Sequence, residues 1–466
     1  MSNEKLYYNS ARELGNLLRR KEISVLEITQ AHLERISSLE PSLNSFITIL
    51  ATEAVNTAKA LDNEIQTGNF RGPLHGIPLG IKDVYTTKDI RTTYGSRIFN
   101  NHVPSEDATT VIQLRDAGTV LLGKLNLHTL EFGPTGQNET YGDMHNPWDT
   151  TRYTGGSSGG SASAVSAGEC TLGMGSDSGG SIRVPASLCG IVGLKPTFGL
   201  ITRNGLMELS PSMDHHGPMT RTVEDSALML DVLVGNGPSS SPTKTNYTRS
   251  ITKGVQGLKI GVPKEFFQVP IDTTVRQCVE KALMVLEQLG ATISEVSWPM
   301  FQHSFAIAAT ILTADAAESL RSLLLEHGTK IDKSVRLRTE SGLFIPVSRY
   351  LQAQRARALL NKQSAALFTK VDILAGPTVS IPAPKIGTTE VDISGTKTNM
   401  FQAMSLYTRP DNLTGRPTIS IPCGFSPDKL PIGLQLSGRS FDESTILRTA
   451  YAYEQATTWH KTHPLL

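Results

Sequence analysis

Serine and glycine dominate residues 154–197, and hydroxyl groups set among glycines suit nucleophilic chemistry. Between Gly155 and Ser181 there are nine glycines and eight serines in 27 residues. Two glycine-flanked serine turns, 155–160 and 177–181, enclose a small-residue run and an apolar run. Glycine allows a ligand to approach the backbone closely because it has no side chain. The apolar residues between the turns argue against a flexible linker, which stays unfolded through low apolar content.

A lysine is the candidate base for such a serine. A serine hydroxyl is a weak nucleophile until a nearby base accepts its proton. A lysine can be that base only when burial or its neighbours lower its pKa. Lys82 lies near the end of an apolar, strand-like segment, 74–84, although the local sequence alone is more typical of a surface lysine. Convergent backbone N–H groups would stabilise the developing oxyanion, and the candidates are Ser178, Gly179, Gly180 and Ser181.

A serine–histidine enzyme is a weaker interpretation of the same stretch. Residues 155–159 match the G-x-S-x-G turn of α/β-hydrolases. That turn needs a strand directly before it and a histidine that follows an acid. Residues 146–153 are instead typical of a loop. The best histidine candidates are His215 and His216, which follow Asp214 in a loop-like segment without metal-ligand spacing.

Two further motifs fit poorly. A phosphate-binding loop needs a lysine directly after its glycines, and residues 159–162 lack one. The S-x-x-K spacing of penicillin-binding proteins occurs at 241–244 and at 394–397. Both occurrences lie in polar, loop-like sequence, where so short a spacing arises easily by chance. Neither motif predicts a function.

Taken together, the motifs closely resemble the amidase signature family. The resemblance spans nearly the whole chain and leaves only residues 304–367 unmatched. It implies one large α/β domain over residues 1–466, layered α/β/α, with a central mixed β-sheet flanked by helices. The matching blocks are 76–83, 123–132, 146–149, 155–197, 217–221, 419–424 and 431–435.

The resemblance also assigns roles to individual residues. Ser181 is implied to be the acylated nucleophile, Ser157 the bridging serine and Lys82 the base of an amide-hydrolysing triad. The spacing of 24 residues between Ser157 and Ser181 matches the family and selects Ser157 rather than Ser158. The family holds the peptide bond before this bridging serine, here Gly156–Ser157, in the cis form.

Supporting and substrate-binding residues follow from the same resemblance. Asp177 and Arg183 match positions that brace the nucleophile loop, so we expect them to support the site without reacting. The implied mechanism needs neither a metal nor an organic cofactor. Arg409, beside Asp411, suits a charged or urea-like substrate. The other candidates for the pocket lining do not come from the resemblance but are apolar or aromatic residues that are equally typical of plain core: Phe132, Met207 and Phe344. Asp411 completes the predicted lining.

Two classes of the family compete. One is a free-standing amidase. The other is the glutamine-hydrolysing A subunit of a glutamyl-tRNA(Gln) amidotransferase, which passes ammonia to a partner subunit. Those proteins usually carry Arg-Arg-Ile and Tyr-Tyr-Asp-Ala segments in their variable region, whereas residues 342–355 here resemble stand-alone amidases. The sequence therefore favours the free-standing amidase.

Alternating helix and strand patterns surround these motifs and predict an α/β fold. The spacing of Ser10 and Glu13 is that of a capping box, which predicts a helix start. A short stretch rich in Pro, Ser and Thr, 237–246, is the one candidate hinge. The predicted regions are N-terminal helices over 1–65, a signature core over 70–235, and a helical pocket wall over 304–367, interrupted near Gly342 and Pro346.

The amino-acid composition limits the cellular compartments and the classes of partner that are expected for this protein. Of 466 residues, 39% are hydrophobic and 19% charged, and the net charge is +1, so no long-range field favours nucleic acid or an anionic membrane. Four scattered cysteines predict neither disulfides nor a zinc site. We expect no signal peptide and no membrane span. These features predict a cytoplasmic protein that binds neither nucleic acid directly nor a membrane. The family resemblance implies a small-molecule amide as substrate, and a homodimer stays open.

Overall fold

Eleven strands of the computed structural model, which describes residues 6–234 and 246–466, form one mixed sheet. Four further strands form two separate pairs, β4 with β5 and β12 with β13. In chain order, all the strands of the described residues are β1 (Phe46–Ile49), β2 (Pro78–Lys82), β3 (Val120–Leu125), β4 (His145–Asn146), β5 (Asp149–Tyr153), β6 (Leu172–Asp177), β7 (Val192–Lys195), β8 (His215–Thr220), β9 (Lys259–Pro263), β10 (Thr292–Val296), β11 (Ile373–Pro377), β12 (Glu390–Ile393), β13 (Thr396–Asn399), β14 (Thr418–Phe425) and β15 (Pro431–Ser437).

Helices flank this sheet, as predicted for a layered α/β domain. They are α1 (Ala11–Arg19), α2 (Val25–Leu43), α3 (Ala51–Gln66), α4 (Thr109–Asp116), α5 (Gly159–Ala167), α6 (Arg183–Cys189), α7 (Val223–Val234), α8 (Tyr247–Ser250), α9 (Thr273–Gln288), α10 (Phe301–Ser319), α11 (Arg321–His327), α12 (Lys333–Gly342), α13 (Val347–Leu367), α14 (Met400–Ser405), α15 (Arg409–Thr414) and α16 (Glu443–Ala456). No helix in the described ranges is long and apolar enough to cross a bilayer.

The order of the large sheet is β1-β3-β2-β6-β8-β7-β14-β15-β11-β9-β10. Strand β2 runs parallel to both β3 and β6, while β8 lies antiparallel to β6 on its other side. Strands β2 and β6 are buried along their whole length. Because parallel strands end at the same edge of a sheet, residues at the carboxyl ends of β2 and β6 come together.

Local signals set the first helices, as the capping-box spacing predicts. The N–H of Glu13 donates to Ser10 Oγ at 3.2 Å, and the Glu13 carboxylate accepts the N–H of Ser10 at 2.8 Å. These two bonds satisfy backbone donors that a helix start leaves free. The predicted start of α1 is therefore confirmed, and its apolar face, with Leu14 and Leu18, is fully buried.

The region 304–367 is mostly helical, and it has the predicted interruption between Gly342 and Pro346; two further breaks, after Ser319 and between His327 and Lys333, were not predicted. Helix α12 ends at Gly342, and α13 begins directly after Pro346. Gly342 lies so close to α10 that an added Cβ would meet the carbonyl oxygen of Thr313 at 2.2 Å. This close approach holds α12 against α10 and thereby fixes the side chains that α12 carries.

Residues 146–153 differ from the loop interpretation. Strands β4 and β5 pair as an antiparallel two-stranded ribbon there. The Asn146 side chain donates to the carbonyl oxygens of Tyr153 and Leu188, at 3.1 and 2.9 Å, and so ties the ribbon to the core. Such long-range contacts are invisible in the local composition. Two predicted features lie outside the described residues: the hinge at 237–246, apart from Asn246, and the S-x-x-K match at 241–244.

Candidate active site

Lys82 is the last residue of β2, and its side chain is fully buried. Its Nζ lies 2.8 Å from Ser157 Oγ, 2.6 Å from Ser176 Oγ and 3.0 Å from Glu131 Oε2. Ser176 lies near the carboxyl end of β6, beside β2. The sheet topology therefore brings the Lys82 amine and the Ser176 hydroxyl to one buried point, where the Ser157 hydroxyl joins them.

Burial lowers the pKa of the Lys82 ammonium below its usual value. The Glu131 carboxylate, and after it Asp177 and Asp214, offset part of that lowering because they favour the charged form. A neutral amine here can accept a proton from the neighbouring hydroxyl of Ser157. The surface-lysine interpretation is therefore wrong.

The segment with Ser157 enters the site between β5 and α5. The Gly156–Ser157 peptide bond is cis. The carbonyl oxygen of Ser157 accepts the N–H of His128 at 3.0 Å, which directs the hydroxyl toward Lys82. The hydroxyl of the next residue, Ser158, turns instead to the carbonyl oxygen of Ser176 at 3.2 Å. The geometry thus pairs the lysine with Ser157 and not with its neighbour.

The histidine candidates lie elsewhere in the site region. His215 and His216 are in β8. Nδ1 of His215 lies 2.6 Å from the carbonyl oxygen of Met213, and the His216 ring packs edge-on against Tyr85. In the described chain, neither histidine is hydrogen-bonded to Ser157. Although a strand does precede the G-x-S-x-G match, the serine–histidine alternative has no structural support.

Glu131 is a member of this cluster that sequence reasoning missed. Its carboxylate contacts Lys82 and accepts the hydroxyl of Ser176, and the residue is only 5% exposed. The backbone of Leu130 and Glu131 is left-handed, with φ of 50° and 61°. The one signal in the sequence is a carboxylate between two apolar residues, which is too common to point to a site.

The loop after β6 carries Ser181 and is shaped by Asp177. The Asp177 carboxylate accepts the N–H of Gly180 at 2.7 Å and that of Ile182 at 3.2 Å. Gly180 has φ of 129°, and an added Cβ would meet Thr408 Oγ1 at 2.3 Å. The predicted set of oxyanion donors therefore needs a correction: the Gly180 N–H is already bonded to Asp177. The set that remains consists of Ser178, Gly179 and Ser181.

Asp177 and Arg183 form a fully buried ion pair behind this loop. Two guanidinium nitrogens, Nε and one terminal nitrogen, each lie 3.0 Å from the Asp177 carboxylate. Arg183 also donates to Gln435 at 3.1 Å and to Asn412 at 2.6 Å. Burial opposes ionisation of Asp177, but Arg183, Lys195 and the Asn412 amide hold its pKa below the usual value. These contacts brace the loop from the side opposite the cavity.

We expect Arg183→Met to lower the free energy of unfolding by about 3–5 kcal/mol, because it leaves the Asp177 carboxylate buried without its cation. Urea denaturation measures this change. The control is Glu22→Gln in the exposed Arg20–Glu22 pair, where we expect less than about 1 kcal/mol. Equal stability of the two variants would contradict the bracing role.

A small, partly open cavity lies beside Ser181. Ser181 and Gly179 are half-buried, whereas Lys82 and Ser157 are completely enclosed. A ligand in the cavity therefore meets Ser181 before it meets the amine. Other residues that line the cavity include Glu131, Phe132, Leu209, Leu312, Ser405, Arg338 and Arg409.

The hydroxyls of Ser157 and Ser181, both within the described chain, are not hydrogen-bonded to each other. The two segments are nevertheless tied together, since the N–H of Ser158 donates to the carbonyl oxygen of Ser181 at 3.2 Å. Catalytic hydrogen bonds are often long or misaligned in ligand-free sites and form once the substrate is bound.

Of the four predicted pocket residues, the structure brings Phe132 to the cavity and places the other three elsewhere. Phe344 is 83% exposed, at the break between α12 and α13. Met207 lines a separate surface cavity. Asp411 is buried behind the loop, where its carboxylate accepts the Ser437 hydroxyl at 2.9 Å. The positions of these three residues in the sequence did not indicate whether their side chains face the cavity.

Arg338 lines the cavity as well and was not singled out from the sequence. It lies on α12, in the region that resembles no family block. An arginine on an amphipathic helix is usually solvated, so its position carried no signal. Among the described residues, no cluster of three or more His, Cys, Asp or Glu side chains could hold a metal ion.

Comparisons with known proteins agree with this architecture. A family model described as Amidase matches residues 27–447. The A subunit of the glutamyl-tRNA(Gln) amidotransferase of Geobacillus kaustophilus (strain HTA426) is 40% identical, over 99% of this chain and 100% of that protein.

Solved structures extend the likeness to the fold. A structure from work on a vestigial protein complex and the origins of an s-triazine catabolic enzyme has a TM-score of 0.91 at 34% identity, covering 96% of this chain and 98% of that one. The A subunit of the glutamyl-tRNA(Gln) amidotransferase of Thermotoga maritima has a TM-score of 0.78 at 33% identity, covering 94% and 95%. By sequence and by fold, the chain belongs to the amidase family, also called the amidase signature family.

Proposed function

We propose that this chain hydrolyses a carboxylic amide C–N bond through an acyl-enzyme on Ser181. The observation that carries the proposal is the buried contact of 2.8 Å between Lys82 Nζ and Ser157 Oγ, directly behind a cavity lined by Ser181. An amine, a bridging hydroxyl and a ligand-facing hydroxyl are the three groups that a lysine-driven serine relay needs.

The relay begins with neutral Lys82, which accepts the proton of Ser157 as Ser157 accepts that of Ser181. The Ser181 oxygen attacks the amide carbonyl, and the resulting oxyanion is held by the backbone N–H groups of Ser178, Gly179 and Ser181. When the C–N bond breaks, Ser157 returns a proton to the leaving nitrogen. Water then attacks the acyl-enzyme by the same relay and releases a carboxylic acid.

Burial of Lys82, opposed by Glu131, determines the pH range in which this relay works. The active form has a neutral Lys82, so activity rises with pH through the pKa of Lys82. Glu131 raises that pKa, as do Asp177 and Asp214, against the larger lowering by burial. The imidazoles of His128 and His216 are close enough to interact with the charge of Lys82, and burial holds the pKa of each at about 3, so they are neutral.

We therefore expect Glu131→Gln to move the acid limb of kcat/KM to lower pH, because the glutamine no longer stabilises the Lys82 ammonium. A pH profile of amide turnover measures the shift. The exposed Glu139→Gln, eight positions along the chain, is the matched control and should leave the limb in place. A limb that moves to higher pH in Glu131→Gln would contradict the assignment of Lys82 as base.

A second candidate function is that of a glutamine-hydrolysing amidotransferase subunit. The 40% identity to such a protein over the whole chain favours it over the free-standing amidase that the variable region predicts. Both candidates share the chemistry at Ser181. They differ in the fate of the nitrogen, which is released to solvent in one case and passed to a partner subunit in the other.

Ammonia release by the purified chain distinguishes the two candidates. The substrates are glutamine and simple aliphatic and aryl amides, with Ser181→Ala as the blank. Turnover of a non-glutamine amide without a partner supports a free-standing amidase. Activity on glutamine alone, or only with a partner subunit present, supports the amidotransferase.

The compartment and the assembly remain proposals. All four cysteines are free, which fits a reducing compartment such as the cytoplasm. A small-molecule amide substrate is compatible both with a homodimer and with a complex that contains another protein. Gel filtration of the purified chain with light scattering gives the oligomeric state.

A further inference from the structure

Two arginines face the cavity beside Ser181 from different elements. Arg338 lies on α12, and Arg409 is the first residue of α15. Arg409 is only 4% exposed, and Arg338 is half-buried. Their guanidinium groups are close enough for the charge of Arg338 to lower the pKa of Arg409. Two cations thus share one small cleft.

Each guanidinium has neutral partners in the protein. Arg338 donates to the carbonyl oxygen of Phe132 at 3.0 Å and stacks on the Phe132 ring, 3.9 Å from its centroid. Arg409 donates to Ser405 Oγ at 3.1 Å and to the carbonyl oxygen of Phe305 at 3.3 Å. A guanidinium has five N–H donors, so most of them remain for a ligand.

Neither arginine forms an ion pair with a carboxylate in the described part of the chain. Arg183, by contrast, forms an ion pair with Asp177. Burial lowers the pKa of Arg338 to about 10 and, together with Arg338, that of Arg409 to about 9, so both stay charged at neutral pH. Buried cations without a counter-ion are costly, and a bound anion relieves that cost.

We infer that the cavity binds an amide that also carries a carboxylate, which Arg338 and Arg409 hold while the amide carbonyl lies at Ser181. This inference rests on the proposed function, because it takes Ser181 as the reacting group. A guanidinium pairs with a carboxylate through two parallel hydrogen bonds, which fixes the orientation of the ligand as well as its affinity.

The same charges disfavour a substrate that carries an ammonium group. The one acidic side chain among the cavity-lining residues is Glu131, and its carboxylate is already bonded to Lys82 and Ser176. An ammonium group in the cavity would therefore meet two guanidinium groups and no available carboxylate. The preferred substrates are anionic amides, such as the monoamide of a dicarboxylic acid, rather than zwitterionic amino acid amides.

Three matched amides test this inference on the full chain. Glutaramate is hydrolysed by water to glutarate and ammonia. Glutamine adds an ammonium group to glutaramate, and pentanamide replaces its carboxylate with a methyl group. We expect kcat/KM for glutaramate to exceed that for pentanamide by about 100-fold or more, and to exceed that for glutamine. Equal values for glutaramate and pentanamide would overturn the carboxylate site, and a preference for glutamine over glutaramate would overturn the exclusion of ammonium groups. Either result would leave the proposed function standing.

Variants locate the preference on the two arginines. Arg338→Gln and Arg409→Gln should each bring the glutaramate-to-pentanamide ratio toward one, while Arg338→Lys should keep part of it because the charge remains. The control is Arg336→Gln, on the same helix but outside the cavity lining, which should keep the full ratio. A ratio that is unchanged in both Gln variants would overturn the inference.

Binding to the inactive Ser181→Ala protein supplies a test that needs no turnover. By calorimetry, glutarate should bind to Ser181→Ala and should bind at least about 30-fold more weakly when Arg338→Gln or Arg409→Gln is added. Arginine-dependent binding together with no turnover of any amide would support the anion site and contradict the proposed hydrolysis. Failure of glutarate to bind, or binding that both arginine variants leave unchanged, would contradict the anion site.

Discussion

Ser181→Ala is expected to remove amide hydrolysis, with kcat falling by between about 10⁴-fold and about 10⁶-fold, as for other serine nucleophiles. The alanine has no oxygen to attack the carbonyl, so the acyl-enzyme cannot form. Discontinuous measurement of ammonia from a substrate turned over by the wild type gives the loss.

The matched control for this variant is Ser163→Ala in the same serine-rich stretch. The Ser163 hydroxyl donates to the carbonyl oxygen of His145 at 3.0 Å and does not line the cavity. We expect its kcat to stay within a few-fold of the wild type. A Ser181→Ala protein that keeps near-native turnover would exclude Ser181 as the nucleophile.

Lys82→Met should lower kcat by about 10²-fold to about 10⁴-fold, because the relay loses its general base. It also leaves Glu131 buried without its cation, at a cost of about 3–5 kcal/mol in the free energy of unfolding. Loss of activity could then reflect loss of the fold. Urea denaturation and turnover must therefore be measured on the same preparations.

The double variant Lys82→Met with Glu131→Gln separates the two effects. It removes both charges of the buried pair, so stability should return toward that of the wild type while activity stays low. Recovery of activity together with stability would mean that Lys82 is a structural residue and not the base.

The sequence predicted those parts of the fold that depend on short-range patterns. The capping box at Ser10 and the helix break between Gly342 and Pro346 follow from residues within a few positions of each other. The site residues were predicted from sequence blocks that resemble the family. The structure places Lys82 against Ser157, although 75 positions separate them. Their catalytic roles remain predictions.

Features that depend on long-range contacts could not be predicted from the sequence. The Gly180 N–H is taken by Asp177, and Asn412, 235 positions away in the chain, completes that arrangement. Glu131 and Arg338 became candidates only once the fold placed them at the cavity. No periodicity distinguishes a buried charge from a solvated one before the partner segments are known.

The chain belongs to the amidase family, but two observations favour different classes within it, the free-standing amidase and the amidotransferase subunit. Residues 342–355 favoured a free-standing amidase, whereas whole-chain identity favours the amidotransferase. The variable region covers only a small part of the chain, and identity elsewhere reflects the shared core chemistry. In the proposed binding mode, Arg338 and Arg409 contact the part of the substrate that differs between the classes, so the three-amide comparison discriminates between them.

The central claim is an acyl group carried by Ser181, and mass spectrometry of the quenched reaction tests it most directly. The wild type is mixed with a substrate that it turns over and is quenched in acid within the first turnovers. Digestion then locates any added acyl mass. We predict the acyl mass on the peptide with Ser181 and none in Ser181→Ala. Acylation of another residue, or turnover without any adduct on Ser181 under conditions where hydrolysis of an acyl-enzyme limits the rate, would contradict the account.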